Sequence, residues 1–133
     1  MKKNLTQVAV VTVLVVITTV LLVSCANIPN TASDTADFLE GKGCTVNNYN
    51  ADELKELKQK LQDEQFVILV ADLEGYVYVT YGDESAEIFF TGNMNDAEEL
   101  YTFYESNANG KVTYRSNDKV FFGSKTIYDM FND

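Results

Sequence analysis

Phe66-Val67-Ile68-Leu69-Val70 and, after a short break, Tyr76-Val77-Tyr78-Val79-Thr80-Tyr81 are the runs whose reading decides the fold. The first is apolar without alternation, which predicts a central strand buried on both faces. The second alternates tyrosine or threonine with valine almost to its end. Asp72-Leu73-Glu74-Gly75 supplies a turn between them, Gly82-Asp83 supplies the next, and Ala86 to Thr91 reads as another strand. These runs predict a three-stranded antiparallel meander with 66–70 at its heart.

Outward from this core, the chain punctuates itself with helix signals. Asn50 followed by Glu53 is a capping box, and Leu54, Leu57 and Leu61 then share one helical face, with Lys55, Lys58 and Lys60 on the others. Asn95 with Glu98 reads as a second box, opening a helix that aligns Ala97, Leu100, Tyr101, Tyr104 and Ala108. Asn109-Gly110 would close it, since both residues tolerate the left-handed conformation. An earlier helix begins near Ser33 or Asp34 and stops at Gly41 and Gly43, before a short strand from Cys44 to Tyr49. Lys111 to Arg115 and Lys119 to Phe122 form a last hairpin, and Ser124 caps a terminal helix burying Ile127, Met130 and Phe131. Hairpins interleaved with helices predict an α+β domain over 34–133: one mainly antiparallel sheet with its helices packed on one main face.

The first 24 residues read differently. Lys2 and Lys3 precede a stretch, Leu5 to Ala26, that holds no charge. A basic start, an apolar run and a small-residue site define a secretory signal. Its end, Leu22-Val23-Ser24-Cys25, resembles the bacterial lipobox. That resemblance implies cleavage between Ser24 and Cys25, a diacylglyceryl group on the Cys25 thiol, and a lipid bilayer as the first partner. Each buried lipid methylene contributes roughly 0.8 kcal/mol, and two acyl chains together give stable anchoring. An uncleaved signal anchor competes with this reading, because a spanning helix needs ~20 apolar residues and this run can supply them. Both readings keep Lys2 and Lys3 cytoplasmic and put the domain on the extracytoplasmic face. Residues 25–33, with the chain's one proline at Pro29, are expected to be a lipidated cysteine and an exposed, extended tether.

The domain also resembles the small lipoproteins of Gram-positive bacteria, through Phe38-Leu39-Glu40-Gly41-Lys42-Gly43 and Val120-Phe121-Phe122-Gly123-Ser124-Lys125. In those proteins a glycine-ended helix and a strand precede a sheet, and a closing hairpin leads into a short helix. The resemblance implies no activity and carries over no catalytic or binding residue.

Composition narrows the function. Without the first 24 residues, eight basic residues face 20 acidic ones, a net charge of −12. So acidic a surface disfavours nucleic acid. All 8 Phe and all 8 Tyr follow Cys25, so the domain is rich in core formers and not disordered. With Cys25 committed to lipid, Cys44 has no disulfide partner and is expected to be a buried, inert thiol.

Catalytic signatures are weak. The chain has no histidine and no tryptophan, which removes the usual general base and the commonest zinc ligand. Ser124-Lys125 reads as an N-cap beside a solvated lysine. Asp96, Glu98 and Glu99 complement a helix dipole. Asp83, Glu84 and Glu87 lack the spacing of a calcium loop, so neither a metal nor a cofactor is expected. What remains is aromatic: Tyr76 and Tyr78 project from one side of their strand, Val77 and Val79 from the other. If the valines face the helices, the two tyrosines form an exposed contact surface; the competing reading is cross-strand aromatic pairing that shields the sheet. The expectation is a non-catalytic lipoprotein of the cell envelope that contacts an envelope protein or wall component. The alternatives are a ligand-capturing accessory subunit of a transport complex, or a histidine-free hydrolase. A pocket with perturbed carboxylates separates these from a flat tyrosine face.

Overall fold

A computed structural model describes residues 26–132. Elements run in the order α1 (Ala32–Gly41), β1 (Thr45–Asn48), α2 (Ala51–Glu64), β2 (Gly75–Tyr81), β3 (Glu84–Phe90), α3 (Met94–Ser106), β4 (Val112–Ser116), β5 (Lys119–Gly123) and α4 (Lys125–Met130). The strands form one sheet in the order β1-β2-β3-β5-β4, every neighbouring pair antiparallel. The protein is therefore α+β, with a single antiparallel sheet. Signal cleavage at Ser24 and lipidation of Cys25 concern positions outside the described residues. Among the described residues no helix is long and apolar enough to cross a membrane.

The 76–90 hairpin forms as its alternation dictates. Tyr76 pairs with Phe89, Val77 with Ile88 and Tyr78 with Glu87, and Gly82 opens the tight turn at φ 60°. Because the side-chain period is two, Val77, Val79, Ala86, Ile88 and Phe90 all reach one face, while Tyr76, Glu87 and Phe89 reach the other. The centre of the ladder is closed by β5, where Gly123 lies opposite Ala86. A Cβ on Gly123 would stand 2.4 Å from the Ala86 Cα, so only glycine allows these backbones to pair.

The run 66–70 is not a strand, which corrects the expected meander. Phe66 takes φ 57°, a left-handed conformation that breaks any extended run at its first residue. Val67 and Leu69 turn inward, whereas Phe66, Ile68 and Val70 are 84%, 69% and 70% exposed. The place beside β2 belongs instead to the polar β1, Thr45-Val46-Asn47-Asn48.

The helices are shared between both faces of the sheet, a second correction. On the valine face, Leu39 of α1 and Ile127, Tyr128 and Met130 of α4 bury Val77, Val79, Ile88 and Phe121. Phe38 stacks on Phe131 at 5.4 Å. On the tyrosine face, Leu61 of α2 and Ala97, Leu100 and Tyr104 of α3 bury Tyr76, Phe89 and Val120. The tyrosine face is itself apolar at Phe89, Val120 and Phe122, so leaving it open would expose a contiguous apolar patch.

The helix starts follow local chemistry. Asn50 and Glu53 make the reciprocal capping box, with Asn50 Oδ1 accepting from the Glu53 N–H and Glu53 Oε1 from the Asn50 N–H. Ser124 caps α4 as expected, and Thr31 caps α1. The cap of α3 is Asn93, not Asn95, and its Oδ1 accepts from the Asp96 N–H at 2.8 Å. The helix ends at Ser106, and Asn109 and Gly110 form the positive-φ turn that follows.

Residues 26–30 are no loose tether. Ala26 and Ile28 are buried in the valine-face core. The buried Lys119 ammonium donates to the Ile28 carbonyl at 2.9 Å and to Asn30 Oδ1 at 3.2 Å, and the Tyr114 hydroxyl donates to the Ala26 carbonyl. Burial of Ala26 and Ile28 and these three hydrogen bonds together oppose the loss of chain freedom.

Candidate functional site

The recess that holds polar chemistry lies on the tyrosine face, between the sheet and α2. It has a volume of about 260 Å³, and its walls include Tyr49, Leu57, Gln65, Tyr76, Glu87 and Tyr104. The sheet supplies Tyr76 and Glu87. Helix α2 brings Glu53, Glu56, Leu57, Lys60 and Leu61, and α3 brings Tyr104. Tyr49 enters from the loop after β1, its ring centroid 4.5 Å from that of Tyr76; Phe89 lies 4.9 Å beyond Tyr76, and Tyr104 5.4 Å beyond Phe89.

Glu87 is the chemical centre of this recess. The Tyr76 hydroxyl donates to Glu87 Oε1 at 2.6 Å, a short charge-assisted bond. Burial raises the carboxyl above the ordinary carboxylate range; the Tyr76 bond and the positive charges of Lys111 and Lys60 oppose that rise. Neither lysine reaches pairing distance. Among the described residues the ion pairs are Lys58–Asp72 and Lys125–Asp129. Gln65 adds a second acceptor: its Oε1 is buried in the described structure without a hydrogen bond.

The tyrosines are held as neutral phenols. Desolvation, reinforced by the Glu87 charge, pushes the hydroxyls of Tyr76 and Tyr104 upward, and burial does the same for Tyr49. None of them acts as a base near neutral pH. Glu53 is occupied in capping α2. The recess thus sets aromatic rings around the Glu87 carboxylate, with Glu53 and Glu56 also in its lining, an arrangement for holding a ligand.

The sequence-predicted contact residues separate. Tyr76 is only 3% exposed, because α2 and α3 cover its face, so it belongs to no open surface. Tyr78 is 39% exposed and sits directly opposite Glu87 across the β2–β3 ladder. Cys44 is buried just before β1, its thiol against Met130 Sδ at 3.5 Å, and burial pushes that thiol up. Among the described residues no group of three or more carboxylates and cysteines is placed to hold a metal.

Sequence reasoning placed Glu87 in an acidic hairpin with Asp83 and Glu84 and missed its neighbours. The signal was the alternation itself: Glu87 and Phe89 must share a face, and pairing with β2 puts Tyr76 and Tyr78 on that face too. Asp96, expected only to complement a helix dipole, does more. It is 1% exposed, and its carboxylate accepts from the N–H groups of Val70 at 2.8 Å and Ala71 at 3.1 Å and from Asn93 Nδ2. It holds the 66–71 segment where a strand partner would otherwise be needed.

A second hollow, lined by Phe66, Val67, Thr102 and Phe103 with Asn95, Glu98 and Glu99, is open, and its polar residues are all exposed. It carries no comparable chemistry. Comparison of the chain with family models, curated proteins and solved structures finds no match.

Proposed function

We propose that this chain is a non-catalytic binding module of the cell envelope, lipid-anchored through Cys25 on the extracytoplasmic face, that takes a small ligand beside Glu87. The observation that carries the ligand reading is the Glu87 carboxylate: sunk in an aromatic recess, hydrogen-bonded by one phenol and, among the described residues, paired with no cation. Retaining such a group without a partner costs stability, and a ligand that engages it recovers that cost. Hydrolysis of a glycoside would require a second carboxyl set against the first across a cleft. Here Glu53 serves the helix cap and Glu56 is exposed on the same helix as that cap, so a binding role fits better.

The anchor follows from the Lys-Lys start, the apolar run and Leu22-Val23-Ser24-Cys25. Since Ala26 is packed on the domain, a lipid on Cys25 would leave no spacer between bilayer and fold. The module would then sit against the membrane with a fixed orientation.

Two measurements test this reading. Palmitate labelling should mark the wild-type chain, and Cys25→Ala should lose the label and leave the membrane fraction; label retained by the variant would refute lipidation at this cysteine. A thermal-shift screen of small envelope metabolites should give stabilisers whose effect vanishes in Leu57→Trp, which fills the recess. Stabilisation of both proteins alike would refute the site.

A further inference from the structure

The cavity proposed above as a ligand site also carries a charge preference. We infer that its ligand is a small organic cation with a compact ammonium head, seated against Glu87 beside the tyrosine cluster. This assignment rests on the reading of the recess as a binding site and goes on to name the ligand class.

Three observations converge. First, two acceptors in the wall are short of partners. Glu87 spends Oε1 on Tyr76 and has no ion-pair partner among the described residues, and Gln65 Oε1 is buried without a hydrogen bond. An incoming cation supplies the positive charge that Glu87 lacks, whether or not it also donates a hydrogen bond. Second, three tyrosines line the same space. Tyr76 and Tyr104 are nearly buried among other rings, so the face that meets a cation is the part of Tyr49 left exposed, and aromatic faces attract cations. Third, the lining is acidic: Glu53, Glu56 and Glu87 outnumber Lys60, with Lys111 acting on Glu87 from outside it, so an anion meets repulsion on entry. Lys60 lies on the exposed side of α2. It weakens the negative field at Glu87 without closing an ion pair, and so leaves the carboxylate available.

Volume sets the size. About 260 Å³ is less than ten water volumes at roughly 30 Å³ each, room for a head group and a short chain. Neutral sugars also donate hydrogen bonds, but they leave the Glu87 charge uncompensated.

The test is a titration of the full chain in detergent micelles, read by NMR at the tyrosine ring resonances. The probes are choline, its uncharged carbon isostere 3,3-dimethylbutan-1-ol, and acetate. The expected result is saturable choline binding that shifts Tyr49, Tyr76 and Tyr104, with the isostere about tenfold weaker or worse. Glu87→Gln should erase that difference, and Leu57→Trp should abolish binding while Glu87 stays in place. Equal affinity for choline and the isostere, preference for acetate, or choline binding unchanged in Glu87→Gln would overturn the cation assignment and leave a ligand cavity standing. If no probe moves any of the three rings, the cavity reading falls, and the cation assignment with it.

Discussion

Two stretches of nearly equal apolar content meet opposite fates. Phe66–Val70 has no polar residue and forms no strand, whereas Tyr76–Thr80 carries two tyrosines and a threonine and lies inside the sheet. The difference is not hydrophobicity but access to hydrogen-bonding neighbours. Residues 76–81 are tied to 84–90 by a two-residue turn, so the ladder forms locally before any distant contact is needed. Residues 66–70 follow α2 directly, and the left-handed Phe66 turns the chain out of that helix. Val67 and Leu69 then plug the gap beside Leu61, and Val67 N–H donates to the Leu61 carbonyl. The donors of Val70 and Ala71 go to one carboxylate instead of a strand. An apolar run becomes a central strand only where both its edges find partners.

The hardest way to break this contrast is through the strand that succeeded. Phe89→Ala removes a fully buried ring packed on Tyr76 and Tyr104 and should cost about 3–5 kcal/mol, measured by urea denaturation. A loss below about 1 kcal/mol would mean that the tyrosine-face core repacks and does not depend on this ring. Next in size, Asp96→Ala orphans two backbone donors at once and should cost about 2–3 kcal/mol. Its specific signature is local: amide exchange at Val70 and Ala71 should accelerate well beyond that of the β2–β3 amides. Uniform acceleration would show that the segment is not a separate unit held by Asp96.

The same contrast shows how far the sequence could be read. Local signals sufficed wherever neighbours in the chain are neighbours in space: the capping box at Asn50, both hairpins, the Ser124 cap and the Ile127–Phe131 packing. They failed where the outcome rests on a distant partner. Nothing near Val70 announces Asp96, and nothing near Pro29 announces Lys119, whose ammonium fixes the segment expected to be a tether. The candidate site divides likewise. Tyr76 and Glu87 are each visible as residues, but their meeting depends on strand register, and their burial depends on helices that pack onto the second face.

Glu87 sharpens the comparison by placing a charge on the strand that did form. Burial raises its carboxyl, so the folded protein binds that proton more tightly than the unfolded chain does. The corresponding stability is fully present below the ordinary glutamate value and is lost as pH rises through the raised one. Glu87→Gln keeps an acceptor for the Tyr76 hydroxyl and removes this loss. Its melting temperature relative to wild type should therefore climb between pH 4 and pH 7, reaching a gain on the order of 1 kcal/mol, the scale of one imperfectly compensated polar group. A difference that stays flat over that range would show that Glu87 is solvated well enough to ionise freely.

The smallest effect belongs to the outward side of the run that failed as a strand. Ile68 is 69% exposed, between the inward-facing Val67 and Leu69. Were 66–70 a central strand, Ile68→Ser would empty a packed site and cost several kcal/mol, as large-to-small core changes do. In the fold described here it removes a side chain that already faces water, and stability should change by no more than ~0.5 kcal/mol. Leu69→Ser, one residue away and 4% exposed, is the internal control and should cost several times more. Because the two variants share chain position, local backbone and chemistry, their ratio isolates the direction each side chain faces. Near-equal losses would restore the strand that the sequence suggested, and a large asymmetry would establish that the most apolar stretch of the domain leaves half of its surface in solvent.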